Sequence, residues 1–255
     1  MKHIRLVTLF SGYDSQALAM ERLVKNGGGD FDYELVAWCE IENAAIKAHN
    51  ALFPQWSDRN LGDICKVDPN DVPDCDCLTY SFPCQDISNA GKQKGFEQGS
   101  GSRSSLLWEC EKIIKAKRPQ HLLMENVKAL VQKKFMPEFQ RWIDTLKDLG
   151  YDNYWKVLNA KDYGVAQNRE RVFMVSILSR NEEGKQLYNF PQPFELTKCV
   201  EEYMEPAEDI GEEYFISQDR VTNKVLSDIL DQPNVRAEME KLYHEEWRKA
   251  LSDTH

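Results

Sequence analysis

Residues 4–26, IRLVTLFSGYDSQALAMERLVKN, read as a strand, a short turn and a helix. Apolar and β-branched residues fill 4–10, the pattern of a buried strand. From Ser15 to Asn26 the apolar spacing becomes helical and puts Ala17, Leu18 and Leu23 on an inward face. Between them FSGYDSQ, residues 10–16, offers Gly12 for close backbone approach and a helix N-terminus whose amides can meet a ligand. Many βα units carry such a turn, so the stretch sets a fold class before it sets a function.

The same alternation continues along the chain. YELVAWCE (33–40), DCLTYSF (76–82) and HLLMENV (121–127) read as strands. NAAIKAHNALF, SLLWECEKIIKAK and MPEFQRWIDTLKDLG read as helices, the last stopped by Gly150. YWKVLNA and RVFMVSIL then predict a closing antiparallel pair. Strands separated by helices of this length predict an α/β fold with a mostly parallel, doubly wound sheet. After Phe194 the pattern changes to acidic helical segments, so the expected domains are 1–194 for the α/β unit and 195–255 for a linking or docking tail.

Bulk properties narrow the function classes. No run of 18 apolar residues is present, and the N-terminus enters a strand with no signal pattern, which predicts no membrane span and a cytoplasmic protein. Seven scattered cysteines (Cys39, Cys65, Cys75, Cys77, Cys84, Cys110 and Cys199) fit a reducing compartment. Only Cys75 and Cys77 approach a ligand pair, and no second pair answers them, so no metal is expected. The net charge is −10, and residues 195–255, with 16 acidic and 7 basic side chains, hold −9 of it. A protein that grips nucleic acid unaided usually shows a basic face; this composition does not supply one.

In doubly wound sheets ligands sit at the carboxyl ends of strands. Glu40 ends the second strand, placed to accept from ribose hydroxyls, with apolar Ile41 beside it. Asp63, followed by Ile64, is placed to accept from an adenine amino group. Taken singly, each acid also suits a solvated loop; in strand order they suggest an adenosine-containing cofactor. Pro83-Cys84-Gln85 leaves another strand toward a polar run, an address suited to a reactive thiol. Glu125, followed by Asn126, ends the next strand, so that a carboxyl group stands beside the thiol's strand. A core cysteine with a capping glutamate is the plain alternative. Gln167, Arg169 and Arg171 alternate into the last hairpin, which aims both arginines at one face, unless they form a surface ion-pair ladder.

Together FSG, PCQDISNAGKQKGF, ENV and QNRER resemble the DNA (cytosine-5) methyltransferase family over roughly residues 4–190. The resemblance implies a Rossmann-like S-adenosylmethionine-dependent methyltransferase fold, with a seven-stranded sheet whose last strand is antiparallel. It implies Cys84 as nucleophile, Glu125 on the base's ring nitrogen and amino group, and Arg171 with Arg169 on its carbonyl oxygen. Phe10, Ser11, Gly12, Asp14, Ser15, Glu40, Ile41, Asp63 and Ile64 would line S-adenosyl-L-methionine. Pro83, Gln85, Ser88, Asn126 and Gln167 would meet the DNA base. A bacterial or phage-encoded restriction-modification enzyme is the implied setting.

Two departures stand out. The family's first motif reads Phe-x-Gly-x-Gly-Gly, whereas Asp14 and Ser15 occupy its last two positions here. No segment after Phe194 resembles the family's target recognition domain or its late motifs, so the expectation is a catalytic subunit needing a second polypeptide for DNA recognition. An RNA cytosine-5 methyltransferase, a non-catalytic regulatory subunit and a truncated enzyme are the competing readings.

Overall fold

The computed structural model describes residues 1–83, 106–179 and 186–197, all within one unit, Met1–Thr197. Its strands are β1 (Lys2–Leu9), β2 (Phe31–Cys39), β3 (Cys77–Tyr80), β4 (His121–Val127), β5 (Tyr151–Asn159) and β6 (Glu170–Leu178). Its helices are α1 (Ser15–Lys25), α2 (Asn43–Leu52), α3 (Leu107–Lys117) and α4 (Met136–Asp148). The strands form one sheet in the order β2-β1-β3-β4-β6-β5. The pairs β1–β2, β1–β3 and β3–β4 are parallel, and β6 runs antiparallel to both β4 and β5. The α/β class, the mostly parallel sheet and the antiparallel last strand all agree with the sequence expectation.

The sheet has six strands among the described residues, one fewer than the seven expected. Between β2 and β3 the chain makes only an isolated parallel bridge from Trp38 to Asn60. Gly62, at φ 73°, then turns the backbone away, and Asp63 caps a short 3-10 turn over Ile64–Lys66. A left-handed residue followed by a capped turn ends pairing before a strand can grow.

The two sheet faces are packed differently. Val7, Leu9, Leu78, Tyr80, Leu122, Met124, Val172 and Met174 join Trp108, Ile114, Phe139 and Trp142 in one large core. Phe139, Trp142 and Leu146 form the buried stripe of α4, and burying each such side chain contributes about 1.5–3 kcal/mol. Inside this core Trp142 donates from Nε1 to the Tyr80 hydroxyl at 3.1 Å. On the opposite face a smaller cluster forms around Leu6, Ala17, Leu35, Trp38 and Phe53. Leu23, expected inward, is 47% exposed and borders a cavity instead.

Cross-chain ties fix the strand entrances. Arg5 at β1 binds Asp76, just before β3, through Nε and Nη2 at 3.0 Å each, and its backbone amide donates to the same carboxylate. That fork geometry sets the register of two neighbouring parallel strands.

Candidate active site

At the carboxyl end of the sheet lies a cavity of about 780 Å³, within the usual range for small-molecule sites. Phe10, Ser11, Tyr13 and Ser15 of the β1–α1 turn form one wall, and α1 continues it with Gln16 and Met20. Thr79, Leu123, Glu125 and Phe173 lie along the sheet floor, and Asn159, Tyr163, Arg169 and Arg171 close the far side. Glu125 and the two arginines, far apart in sequence, therefore share one space with the glycine turn.

Glu125 and Arg171 form the polar centre of that space. Arg171 Nε lies 3.1 Å from Glu125 Oε1, with the side chains 23% and 24% exposed. The placement follows from strand register, because β4 and β6 run antiparallel and Glu125 pairs with Phe173 while Val127 pairs with Arg171. A paired carboxylate that keeps access to a cavity can still bind the ring edge of a heteroaromatic substrate. Arg169 lies just before β6 and is exposed, so its charge reaches the cavity from the rim. Gln167 is exposed and outside the lining.

The β1–α1 turn has an unusual backbone. Phe10, Gly12 and Asp14 all take left-handed φ values, 56°, 58° and 68°. Gly12 meets this without strain, and a Cβ added there would project into open space, so φ rather than crowding calls for glycine. Left-handed non-glycine residues cost energy and concentrate at ligand sites. Ser11 is 8% exposed, and its buried hydroxyl has no hydrogen-bond partner although the residue borders the cavity. An unmet buried hydroxyl there is a point where a polar ligand group gains a hydrogen bond.

Glu40 stands at the end of β2 and holds two turns together. Its Oε2 accepts from the Gly12 amide at 2.9 Å, and its Oε1 accepts from the Ile41 and Glu42 amides at 2.7 and 2.8 Å. A carboxylate has about four acceptor directions, so Glu40 keeps acceptor capacity beside the turn. Ile41 is 68% exposed next to it. Asp63 accepts from the Cys65 amide and Ile64 is buried. Glu40, Ile41, Asp63 and Ile64 all lie outside the cavity lining, at the adjoining strand exits.

Two sequence assignments change. Asp14, expected against the cofactor, has its side chain turned into the protein with no exposure. Its carboxylate accepts from the Thr8 hydroxyl at 2.6 Å and from the Ala17 amide at 3.0 Å, capping α1. Fully buried and outside the cavity lining, this carboxylate presents no atom to the cavity. Asn126, expected against the base, is 3% exposed and donates from Nδ2 to the Phe82 carbonyl at 3.0 Å. It thereby brackets the exit of β3 just before Pro83, where the described segment ends. Cys84, Gln85 and Ser88 lie outside the described residues.

The sequence reading missed three positioning residues. Asn60 accepts from the Glu40 and Gly62 amides, tying the end of β2 to the loop that carries Asp63. Asn159 accepts from the Arg169 amide at 3.0 Å and donates to Asn168 at 2.7 Å, fixing the loop that delivers the arginines. Gln16 donates to Ser81, linking the first turn of α1 to the exit of β3. Their shared signal is an amide side chain near a strand end, the kind that satisfies departing backbone.

The thiols of the described cysteines are suppressed. Burial pushes Cys39, Cys75 and Cys77 up to about 12 and Cys110 well above the ordinary value. Cys65, exposed, is also raised, first by partial burial and then by Asp63. None of these is an activated thiolate. Among the described residues no group of three or more His, Cys, Asp or Glu side chains could hold a metal ion, and no helix is long and apolar enough to cross a membrane.

Known proteins resemble the chain in sequence and in fold. The chain is 48% identical over 173 residues to the type II methyltransferase M2.ScrFI of Lactococcus lactis subsp. cremoris, covering 68% of this chain and 46% of that protein. It is 33% identical over 208 residues to the type II methyltransferase M.HhaI of Haemophilus parahaemolyticus, covering 81% and 58%. It thus spans about half the length of these curated relatives. Among solved structures, the Entamoeba histolytica methyltransferase EhMeth shares the fold at TM-score 0.62 and 16% identity, covering 86% of this chain and 66% of that one. A Spodoptera frugiperda DNMT2 mutant does so at TM-score 0.61 and 20% identity, covering 84% and 62%. The family match itself covers residues 4–253, so the likeness extends past about residue 190, where sequence reading had ended it. With a match of that extent, and Glu125 and Arg171 paired at the mouth of the glycine turn, the chain belongs to the family of C-5 cytosine-specific DNA methylases.

Proposed function

We propose that this chain transfers a methyl group from S-adenosyl-L-methionine to carbon 5 of cytosine in DNA, through a covalent adduct on Cys84. The observation that carries the reading is the Glu125–Arg171 pair on the wall of a cavity shared with the β1–α1 turn. The residues present suit the cofactor: Ser11 has an unmet buried hydroxyl, Phe10 and Tyr13 offer apolar surface, and Glu40 retains acceptor capacity. Phe10, Ser11, Gly12 and Ser15 of the turn, with Glu40, Ile41, Asp63 and Ile64 at the strand exits adjoining the cavity, would hold it. When bound, it supplies an electrophilic methyl group on a sulfonium centre.

The protein's task is to make carbon 5 nucleophilic. The Cys84 thiolate adds its electron pair to carbon 6, forming a C–S bond. Glu125 holds ring nitrogen 3 and the amino group, so that the ring accepts a proton as the thiolate adds. Arg171, with Arg169 from the rim, binds the base's carbonyl oxygen. After methylation a base removes the carbon 5 proton, the ring double bond re-forms and the thiolate leaves. Because the target atom is unreachable within a duplex, the cytosine must be extruded into the cavity.

The net charge of −10 opposes contact with phosphates. A second polypeptide that carries DNA recognition accounts for this, with residues 195–255 as its docking segment. DNA containing 5-fluorocytosine, incubated with the cofactor, tests the chemistry. The expected result is a covalent complex mapped to Cys84 and absent in Cys84→Ser. Trapping that survives in Cys84→Ser, or maps to Cys75, refutes the mechanism. An RNA substrate methylated in place of DNA refutes the substrate class. Robust sequence-specific methylation by the isolated chain refutes the need for a second polypeptide.

A further inference from the structure

We infer that residues 187–194 form a strap that clamps the β5–β6 connection, and that Phe194 and Tyr163 are thereby positioning residues for Arg169 and Arg171. This role rests on the two arginines meeting the target base, as proposed above, and draws in a stretch of chain to which that reading gives no part.

The strap runs over the sheet face that carries the cavity. Its Leu187 amide donates to the Tyr154 hydroxyl at 3.0 Å. Tyr188 lies against the Tyr154 ring, 6.1 Å between centroids, and edge-on to Phe190 at 5.0 Å. Strand alternation puts Tyr154 and Leu158 on one face of β5, and Leu158 borders the cavity. Trp155, on the other face, meets Phe139 of α4 instead. Farther along, Pro191 itself lines the cavity. Pro191 and Pro193 have no amide proton, so the chain crosses here with two fewer backbone donors to satisfy.

The far end of the strap is fastened to residues 162–164. The Phe194 amide donates to the Asp162 carbonyl at 2.9 Å, and the Tyr163 hydroxyl donates to the Pro191 carbonyl at 3.2 Å. The Tyr163 and Phe194 rings meet edge-on, 6.2 Å between centroids and at 87°. Gly164, at φ 81°, ends the short 3-10 turn Ala160–Tyr163. A Cβ added there would stand 3.0 Å from Phe194 Cε2 and 3.2 Å from its Cζ. Glycine is therefore called for twice at this position, by its backbone angle and by the close approach of the ring.

These contacts complete what Asn159 begins. At the base of the connection the Arg169 amide donates to Asn159 Oδ1, and the Ala160 amide donates to the Arg169 carbonyl, each at 3.0 Å. A loop held only at its base can still swing about it. The strap adds a second point of attachment at the tip, so that Arg169 and, two residues on, Arg171 are fixed before substrate arrives. Phe194 remains 58% exposed. Removing its ring therefore costs little burial, and the loss falls on the placement of the loop rather than on the stability of the fold.

The test uses the full chain with Phe194→Ala, Gly164→Ala, the double change, and Phe194→Leu as the conservative variant. Trapping on 5-fluorocytosine DNA gives the maximal rate, calorimetry gives cofactor affinity, thermal melts give stability, and hydrogen exchange reads residues 160–171. Phe194→Ala is expected to lower the maximal trapping rate about tenfold, while S-adenosyl-L-methionine affinity stays within about twofold of the original. Exchange at the Arg169 amide should quicken in the same variant, with little change in melting. Phe194→Leu should restore most of the rate. Gly164→Ala should resemble Phe194→Ala, and the two losses should fall well short of multiplying in the double change, because both release one contact. Unchanged trapping and exchange in Phe194→Ala, losses that multiply, or a parallel fall in cofactor affinity and melting overturns the proposal. A wild-type chain that forms no adduct overturns the catalytic reading of the site. Exchange then decides the clamp separately: quickening at Arg169 in Phe194→Ala upholds it, and unchanged exchange overturns it.

Discussion

Replacing Asn126 with alanine should destabilise the protein and release the segment that leads to Cys84. The Asn126 amide is 3% exposed, donates to the Phe82 carbonyl at 3.0 Å and accepts from the Val127 amide at 2.8 Å. One buried and one part-buried hydrogen bond at about 1 kcal/mol each give about 2 kcal/mol. That is a sizeable part of a typical total stability of about 5–15 kcal/mol. Urea unfolding, analysed by linear extrapolation, measures it. Asn126→Asp separates hydrogen bonding from shape. It keeps the size but turns an oxygen toward the Phe82 carbonyl and buries a charge, so at neutral pH it should cost more than alanine. Burial raises the folded value of the new carboxyl group, so the gap should narrow as pH falls toward the ordinary aspartate value, about 3.9, as the group gains a proton to donate. A cost below about 0.5 kcal/mol for Asn126→Ala, the level of a neutral surface change, would refute the bracket. So would Asp proving milder than Ala at neutral pH.

Two other measurements probe the surrounding structure. The Arg5 guanidinium, chiefly by hydrogen bonding, holds Asp76 below the usual carboxylate range, so this stabilisation is complete above about pH 3.9 and is lost as pH falls through the lower folded value; Asp76→Asn should flatten that limb of a stability-pH curve. Burial lowers His121, which adds a loss beginning below about pH 6.5, and stability that rises on acidification across this range would contradict both assignments. Alkylation mapped by mass spectrometry should leave Cys39, Cys75 and Cys110 unmodified until denaturant is added, because burial raises all three thiols; modification of Cys39 or Cys110 ahead of exposed Cys65 would contradict that placement.

Local patterns carried most of the fold. HLLMENV becomes β4 with the expected limits, and the helix that begins at Met136 ends at Asp148, two residues before Gly150 at φ 88°. The strand placement of Glu125 and Arg171 was legible because each stands near a strand end and strand alternation fixes the face it presents. Their 3.1 Å contact was not, since it depends on β6 lying between β4 and β5, an arrangement no local spacing encodes. Leu23 was misplaced for a related reason. Helical periodicity identifies an apolar face but not what covers it, and at that end of α1 the face meets a cavity. Asp14 was misread because a motif position shows where a residue stands along the chain, not the direction of its side chain. At φ 68° the left-handed backbone sends that side chain into the interior.

The strand exits explain why the missed residues are Asn and Gln, and why Asp14, Glu40 and Asn126 turn toward backbone groups. Where a parallel strand leaves the sheet, its last amides and carbonyls lose their ladder partners, and a buried one left unpaired is costly. Each exit at the cavity is closed by a side chain. Asp14 caps the turn after β1, Glu40 and Asn60 the turn after β2, Asn126 joins the ends of β3 and β4, and Asn159 holds the loop between β5 and β6. These residues keep the turns in place, so that Ser11, Glu125, Arg169 and Arg171 can point into open space without the backbone collapsing over them. A site assembled in this way should be sensitive to changes outside the cavity. An amide such as Asn159, whose Oδ1 accepts from the Arg169 backbone, controls where a guanidinium sits without having to touch the substrate. The polar groups that stabilise the turns and those left free to bind are therefore two parts of one arrangement, and a substitution in the first part is felt in the second.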